Sequence, residues 1–324
     1  MILELDAVSK YYGRFQALDS VTVAVKPGAI GLLGPNGAGK STLIKALLGL
    51  VRLSSGRATV LGFDARRESR KIREVVGYVP EDDCATAGLK GVQAVALSGE
   101  LAGLPARTAL RRAHEILDYV MLAEQRYREI QTYSTGMRQK VKLAQALIHS
   151  PQLVFLDEPT SGLDPVGREK MLALIRNLAQ KKGVSVIVST HILSDIEACC
   201  DAVMILGRGK LLVYDTIRNL QHSVDPSCEV TVDGDPAALC HALAAVGARC
   251  MVTSTVTGSV SSPGELRVAG TTDLGKKVLE AARQSGVVVR GIVPSRTSLE
   301  DIFLTAVQQQ AAAAAAVGAA AVGA

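Results

Sequence analysis

Eight residues, GPNGAGKS (Gly34–Ser41), constrain the fold of this chain more than any other feature. They match G-x-x-x-x-G-K-[ST], follow the apolar run AIGLL and precede the apolar helical pattern TLIKALLGL. Strand, tight loop and helix in that order are the entry to a mainly parallel α/β sheet. The residue types follow from the geometry. Glycines let loop amides turn inward, so Gly34, Pro35, Asn36, Gly37, Ala38 and Gly39 form a cradle for phosphate oxygens. Lys40 reaches the β- and γ-phosphates, the Ser41 hydroxyl is a ligand for Mg²⁺, and Thr42 continues the set into the helix.

A phosphate loop of this kind needs a second half, and LVFLDE (Leu153–Glu158) supplies it. Its apolar run reads as a buried strand ending in two carboxylates. Asp157 is expected to hold Mg²⁺ through water, and Glu158 to polarise an attacking water. Pro159 breaks the strand directly behind them. VSVIVSTH (Val184–His191) is a further uninterrupted apolar strand, which puts His191 at the carboxyl edge of the sheet, within reach of a γ-phosphate. YSTGMRQK (Tyr133–Lys140) starts a helix whose Val141, Ala144, Leu147 and Ile148 share one face. Its Ser-Thr-Gly start offers backbone amides and a hydroxyl to an anion.

Elsewhere the chain divides. Residues 1–222 alternate apolar β-branched runs with helical patterns, closing on a hairpin that turns at Gly207-Arg208-Gly209. HSVDPSC reads as a linker. Residues 223–307 read strand, helix, strand, strand, helix, strand, the split βαβ order of a small α+β ferredoxin-like domain. TSLEDIFLTAV then predicts a last helix capped by Thr297 or Ser298, and 308–324 is an alanine-rich, low-complexity tail expected to be disordered.

Six cysteines (Cys84, Cys199, Cys200, Cys228, Cys240, Cys250) form no C-x-x-C step, so reduced thiols are expected. No signal peptide and no span of about 18 apolar residues is expected. The formal net charge of +5 owes much to RRESRKIR (Arg66–Arg73), which reads as a solvated helix face, not a nucleic-acid surface.

Taken together, residues 1–222 resemble the ATP-binding subunits of ABC transporters, with the motifs in the family's order. GPNGAGKS is similar to Walker A, LVFLDE to Walker B, and His191 to the switch histidine. SGLD (Ser161–Asp164) is similar to the D-loop, and Tyr12 stands where the aromatic that stacks on adenine stands. YSTGM occupies the place of the LSGGQ signature, with Thr135 and Met137 departing from it and Ser134 and Gly136 retained. In GYVPED, Glu81 stands where the family has the Q-loop glutamine. It keeps an oxygen for Mg²⁺ and loses an amide donor.

The resemblance implies an ABC-type P-loop NTPase fold with a helical subdomain, and a Mg²⁺-dependent ATPase. Two chains, expected to be identical, close head to tail with each ATP between Walker A of one and the signature of the other. Ser134, Gly136 and Asp164 would then serve a partner's nucleotide, and Glu158, His191 and Lys40 would be catalytic. A separate membrane permease would receive the motion near Asp82–Leu104, placing the chain in the cytoplasm on the membrane's inner face. The appended domain ending in SLEDIFL is similar to extensions found in exporter ATPases. A soluble ABC ATPase acting on nucleic acid or ribosomes is the alternative, opposed by a single nucleotide domain, no long coiled-coil insertion and no strong basic tail. No nucleic-acid partner is therefore expected.

Overall fold

The computed structural model describes residues 1–82, 88–223, 227–245, 248–254, 264–270, 274–295 and 302–303. The chain forms two compact units, the first built on Met1–Ile217 and the second on Arg218–Thr305. In the first unit the elements run β1 (Leu3–Tyr12), β2 (Phe15–Val25), β3 (Ala29–Leu33), α1 (Lys40–Leu47), β4 (Ser55–Val60) and β5 (Phe63–Asp64). Next come α2 (Ser69–Val75), β6 (Val76–Val79), α3 (Gly91–Leu101), α4 (Ala106–Tyr119) and α5 (Thr135–Leu147). They are followed by β7 (Leu153–Asp157), α6 (Pro165–Lys182), β8 (Ser185–Thr190), α7 (Leu193–Cys199), β9 (Ala202–Gly207) and β10 (Lys210–Thr216).

A six-stranded sheet in the order β10-β9-β3-β8-β7-β6 carries the site. All its pairs are parallel except β9 with β10. The uninterrupted apolar runs are explained by what lies on each face. Leu153 and Phe155 of β7 pack with α1 and the antiparallel β2-β1-β4-β5 sheet, whereas Val154 and Leu156 pack with α3, α4, α5 and α6. A strand covered on both faces has no polar positions to alternate. The helices between β6 and β7 form the expected helical subdomain, and Val141, Ala144, Leu147 and Ile148 all enter its core.

The β9–β10 hairpin turns where expected. Arg208 and Gly209 both have positive φ (44° and 79°), the geometry that matches the twist of a two-residue hairpin. The basic run is used locally: Lys71 pairs with Glu68, Arg70 with Glu74, and Arg66 and Arg73 donate to the Leu53 and Leu48 carbonyls.

In the second unit α8 (Ile217–Ser223) begins at the division and leads to β11 (Ser227–Asp233), α9 (Pro236–Ala245) and β12 (Arg249–Ser254). Then come β13 (Gly264–Ala269), α10 (Leu274–Ser285) and β14 (Val288–Ser295). The sheet order is β12-β13-β11-β14 and every neighbouring pair is antiparallel. Val230 and Val232 of β11 and Leu266 and Val268 of β13 share a core with Leu239 and Leu243 of α9 and Val278 of α10.

One expectation is overturned here. Cys240 and Cys250 are not reduced but joined in a disulfide, with their Cα atoms 5.3 Å apart. Helix α9 and strand β12 bring the two together although they stand ten positions apart in sequence, a spacing that resembles no thiol motif. Cys199, Cys200 and Cys228 are free thiols. Cys84, the linker's Asp225-Pro226, the capping positions Thr297 and Ser298, and the tail lie outside the described residues.

Candidate functional site

Between β3 and α1 the chain wraps a cavity of about 370 Å³, lined by the loop and helix start from Asn36 to Thr42 together with Glu81, Glu158 and His191. Two glycines make that loop sterically possible. A Cβ on Gly34 would sit 2.5 Å from the Leu206 carbonyl oxygen, and one on Gly39, at φ +101°, would sit 2.6 Å from that of Ala17. No side chain fits either place, so the loop lies flat against β9 and β2 and its amides are free to turn toward the cavity.

Lys40 is only 7% exposed, and its Nζ donates to the carbonyls of Gly34 (2.7 Å) and Pro35 (3.2 Å). The ammonium therefore folds over the mouth of the cradle. Burial lowers its pKa, opposed by the nearby carboxylates of Glu158, Asp157 and Glu81, which raise it. An arriving phosphate would supply the anionic partner that the two carbonyls only partly replace.

Strand β7 delivers the carboxylates. Asp157 is 2% exposed, and its Oδ1 is buried with no hydrogen-bond partner. An orphaned carboxylate oxygen is expensive in a dry strand end unless a cation or its water shell completes it. The donor set of Ser41 hydroxyl, Asp157 and Glu81 is all hard oxygen, the chemistry that suits Mg²⁺. These residues fit the metal.

Glu158 adopts φ 48°, a left-handed conformation uncommon for a residue with a long side chain. This turn, at the point where the strand meets Pro159, sends the carboxylate into the cavity. Its amide donates to the Ser189 carbonyl (2.9 Å), and its Oε1 lies 3.1 Å from His191 Nδ1. The two strand-end residues read from β7 and β8 thus meet in space.

Other expected residues lie elsewhere. Ser134 caps α5, its hydroxyl accepting from the Met137 amide at 3.3 Å, and Asp164 caps α6 by accepting from Gly167 at 3.3 Å. Neither of them lines the cavity, nor does Gly136. Gly136 has no positive φ, and a Cβ there would meet only Leu163 at 3.7 Å, an ordinary contact. Nothing within the described chain requires glycine at this position.

Tyr12 is half-exposed beneath Lys10, whose Nζ lies 4.7 Å from the ring centre, and it too is absent from the lining. Phe15, paired with Tyr12 across the β1–β2 hairpin, lines the cavity instead and is 64% exposed. Ala17 and Ser161 complete the lining. None of the three was identified from sequence. Ser161 sits within a motif that was, whereas Phe15 and Ala17 reach the lining because β2 lies against the phosphate loop, with the Ala17 carbonyl beside Gly39. Glu81 does face the cavity, and its loop is tied to the helix that Ser134 begins: Lys142 of α5 donates to the carbonyls of Glu81 (3.0 Å) and Asp82 (3.1 Å).

Comparisons with known proteins show the family. The family described as ABC transporter matches residues 18–161. The linearmycin resistance ATP-binding protein LnrL of Bacillus subtilis (strain 168) is 34% identical over 72% of this chain and 76% of its own. The daunorubicin resistance ATP-binding protein DrrA2 of Streptomyces coeruleorubidus is 33% identical over 92% of both chains. Among solved structures, the dimeric post-hydrolysis state of the ATP-binding cassette MJ0796 bound to ADP and Pi aligns with a TM-score of 0.61 at 25% identity. It covers 67% of this chain and 99% of that one. The chain therefore belongs to the ATP-hydrolysing, ATP-binding subunits of the ABC transporter family.

Proposed function

We propose that this chain is the energy-coupling ATPase of an exporter, acting as a head-to-tail homodimer on a separate membrane permease at the inner face of the membrane. The observation that carries the export reading is the similarity to DrrA2, named for daunorubicin resistance, which runs through the second unit as well as the first. LnrL, also named for resistance, supports it. On this reading residues 1–222 are the ATPase, 223–307 an accessory ferredoxin-like domain and 308–324 a tail. Among the described residues no helix is long and apolar enough to cross a membrane, so the path for cargo would belong to another chain.

The roles follow from position. The backbone N–H groups of Gly34 and of Asn36 to Gly39, with the Lys40 ammonium, bind the phosphates; Ser41, Asp157 and Glu81 would hold Mg²⁺, which would supply neutralisation of phosphate charge. Glu158 takes a proton from the attacking water, and His191, 3.1 Å from it, fixes its orientation and contacts the γ-phosphate. Ser134, Gly136 and Asp164 would meet the nucleotide of the partner, which gives Gly136 the external reason for its missing side chain.

Phe15 forms the base platform together with Tyr12. Phe15→Ala is expected to raise the KM for ATP about tenfold while leaving kcat at saturation unchanged, because base stacking contributes about 1–3 kcal/mol to binding. An unchanged KM would remove Phe15 from the site. Export is tested on membranes: inside-out vesicles carrying the chain and its permease should accumulate cargo with ATP, and lose that accumulation when Glu158 is replaced by Gln. A chain that instead fractionates with ribosomes or nucleic acid would favour the alternative.

A further inference from the structure

Asp195 of α7 is 1% exposed and lies outside the phosphate cavity. A carboxylate so buried must be paired, and both of its oxygens are. Oδ2 accepts from the Thr160 hydroxyl at 2.5 Å, and Oδ1 accepts from Arg168 Nε at 2.6 Å. Arg168 also reaches the Ser194 hydroxyl at 2.9 Å. Thr160 itself is 4% exposed, so this bond is shielded from water.

The placement of these bonds relates them to the cavity. Thr160 follows Glu158 by two residues, and Asp195 follows His191 by four. The two chain segments, 158–160 after β7 and 191–195 after β8, are joined at one end by Glu158 to His191 (3.1 Å) and at the other by Thr160 to Asp195 (2.5 Å). The first rung is exposed on its histidine side, with His191 53% accessible, and holds a residue at φ 48°. Left to itself such a turn would relax toward the commoner backbone regions. The second rung is dry, charge-assisted and braced by α6 through Arg168, so it is the rigid one.

We infer that Asp195 is a positioning residue for hydrolysis: through Thr160 it holds the turn that aims Glu158 at the attacking water, and through α7 it keeps His191 opposite. The inference rests on the assignment of Glu158 as the base.

Four variants of the full chain, assayed as purified protein for kcat and KM of ATP and for Tm, test this. Thr160→Val keeps the volume and removes the hydroxyl. Its kcat is expected to fall about 10- to 100-fold, as for a misaligned catalytic group, with KM for ATP within about twofold of wild type. Asp195→Asn should behave likewise, and Thr160→Ser, which keeps the donor, should restore turnover. Loss of kcat in Thr160→Val with an unchanged Tm supports positioning. Wild-type kcat in Thr160→Val, or a loss that Thr160→Ser does not repair, overturns it. Glu158→Gln is measured alongside: turnover surviving in that variant would overturn the base assignment and this inference with it, whereas an inert Glu158→Gln beside an unimpaired Thr160→Val would overturn this inference alone.

Discussion

Glu158→Gln is expected to bind ATP as tightly as wild type and to lose turnover by about 10²- to 10⁴-fold, the contribution of a positioned general base. The amide has nearly the shape of the carboxylate, so the left-handed turn at φ 48° and the contact with His191 can both persist. What disappears is the ability to accept a proton from water. Binding should survive because the phosphate cradle and Lys40 belong to the loop after β3 and the first turn of α1, not to β7. Removing a negative charge beside the γ-phosphate can only favour the bound state. Equilibrium binding of labelled ATP and single-turnover hydrolysis, measured on the same preparation, separate the two properties. Full turnover in the variant would mean that Glu158 is a structural carboxylate paired with His191.

Gly136→Asp is expected to be as damaging by a different route. Within one chain the substitution is tolerable, since a Cβ there meets only Leu163 at 3.7 Å, and a carboxylate at the second residue of α5 is favoured by the helix dipole. Monomer Tm and ATP binding should therefore stay near wild type. Across a dimer the same carboxylate would face a γ-phosphate, and two like charges about 4 Å apart repel by about 4 kcal/mol at an effective dielectric of 20. That corresponds to roughly a 10³-fold loss of turnover. A Gly136→Asp chain that hydrolyses ATP normally would leave the signature without a role in catalysis.

Much of this was legible because local sequence and tertiary position coincide. The P-loop, the end of β7 and His191 sit at strand ends, and an uninterrupted apolar run fixes both the strand and the edge at which it stops. The covalent order of Glu158 and His191 did not show that they would lie 3.1 Å apart. That needed the parallel β7–β8 pairing that sets Asp157 beside Ser189. Phe15 was invisible for a related reason. An aromatic in a hairpin looks the same whether it faces solvent or a cavity, and only the packing of β2 against the phosphate loop, with the Ala17 carbonyl beside Gly39, brings Phe15 to the lining. The disulfide was missed because a helix and a strand can bring any two cysteines within 5.3 Å without leaving a motif. Asp195 is the deepest case: an acid in the first turn of a short helix is ordinary capping chemistry until its partners, Thr160 in the turn after β7 and Arg168 on α6, are known.

On the proposed reading one ATP site is built from two chains, the P-loop of one and the Ser134–Gly136 turn of the other. Mixing two inactive variants tests it most directly. A Lys40→Ala chain keeps an intact signature turn, and a Gly136→Asp chain keeps an intact P-loop. Each alone should be inert. In the mixed dimer both lesions fall in one composite site and the other is wholly intact, so equimolar mixing should restore ATP hydrolysis. A mixture as inactive as its two components, with mixed dimers demonstrated by differential tagging, would contradict the shared site.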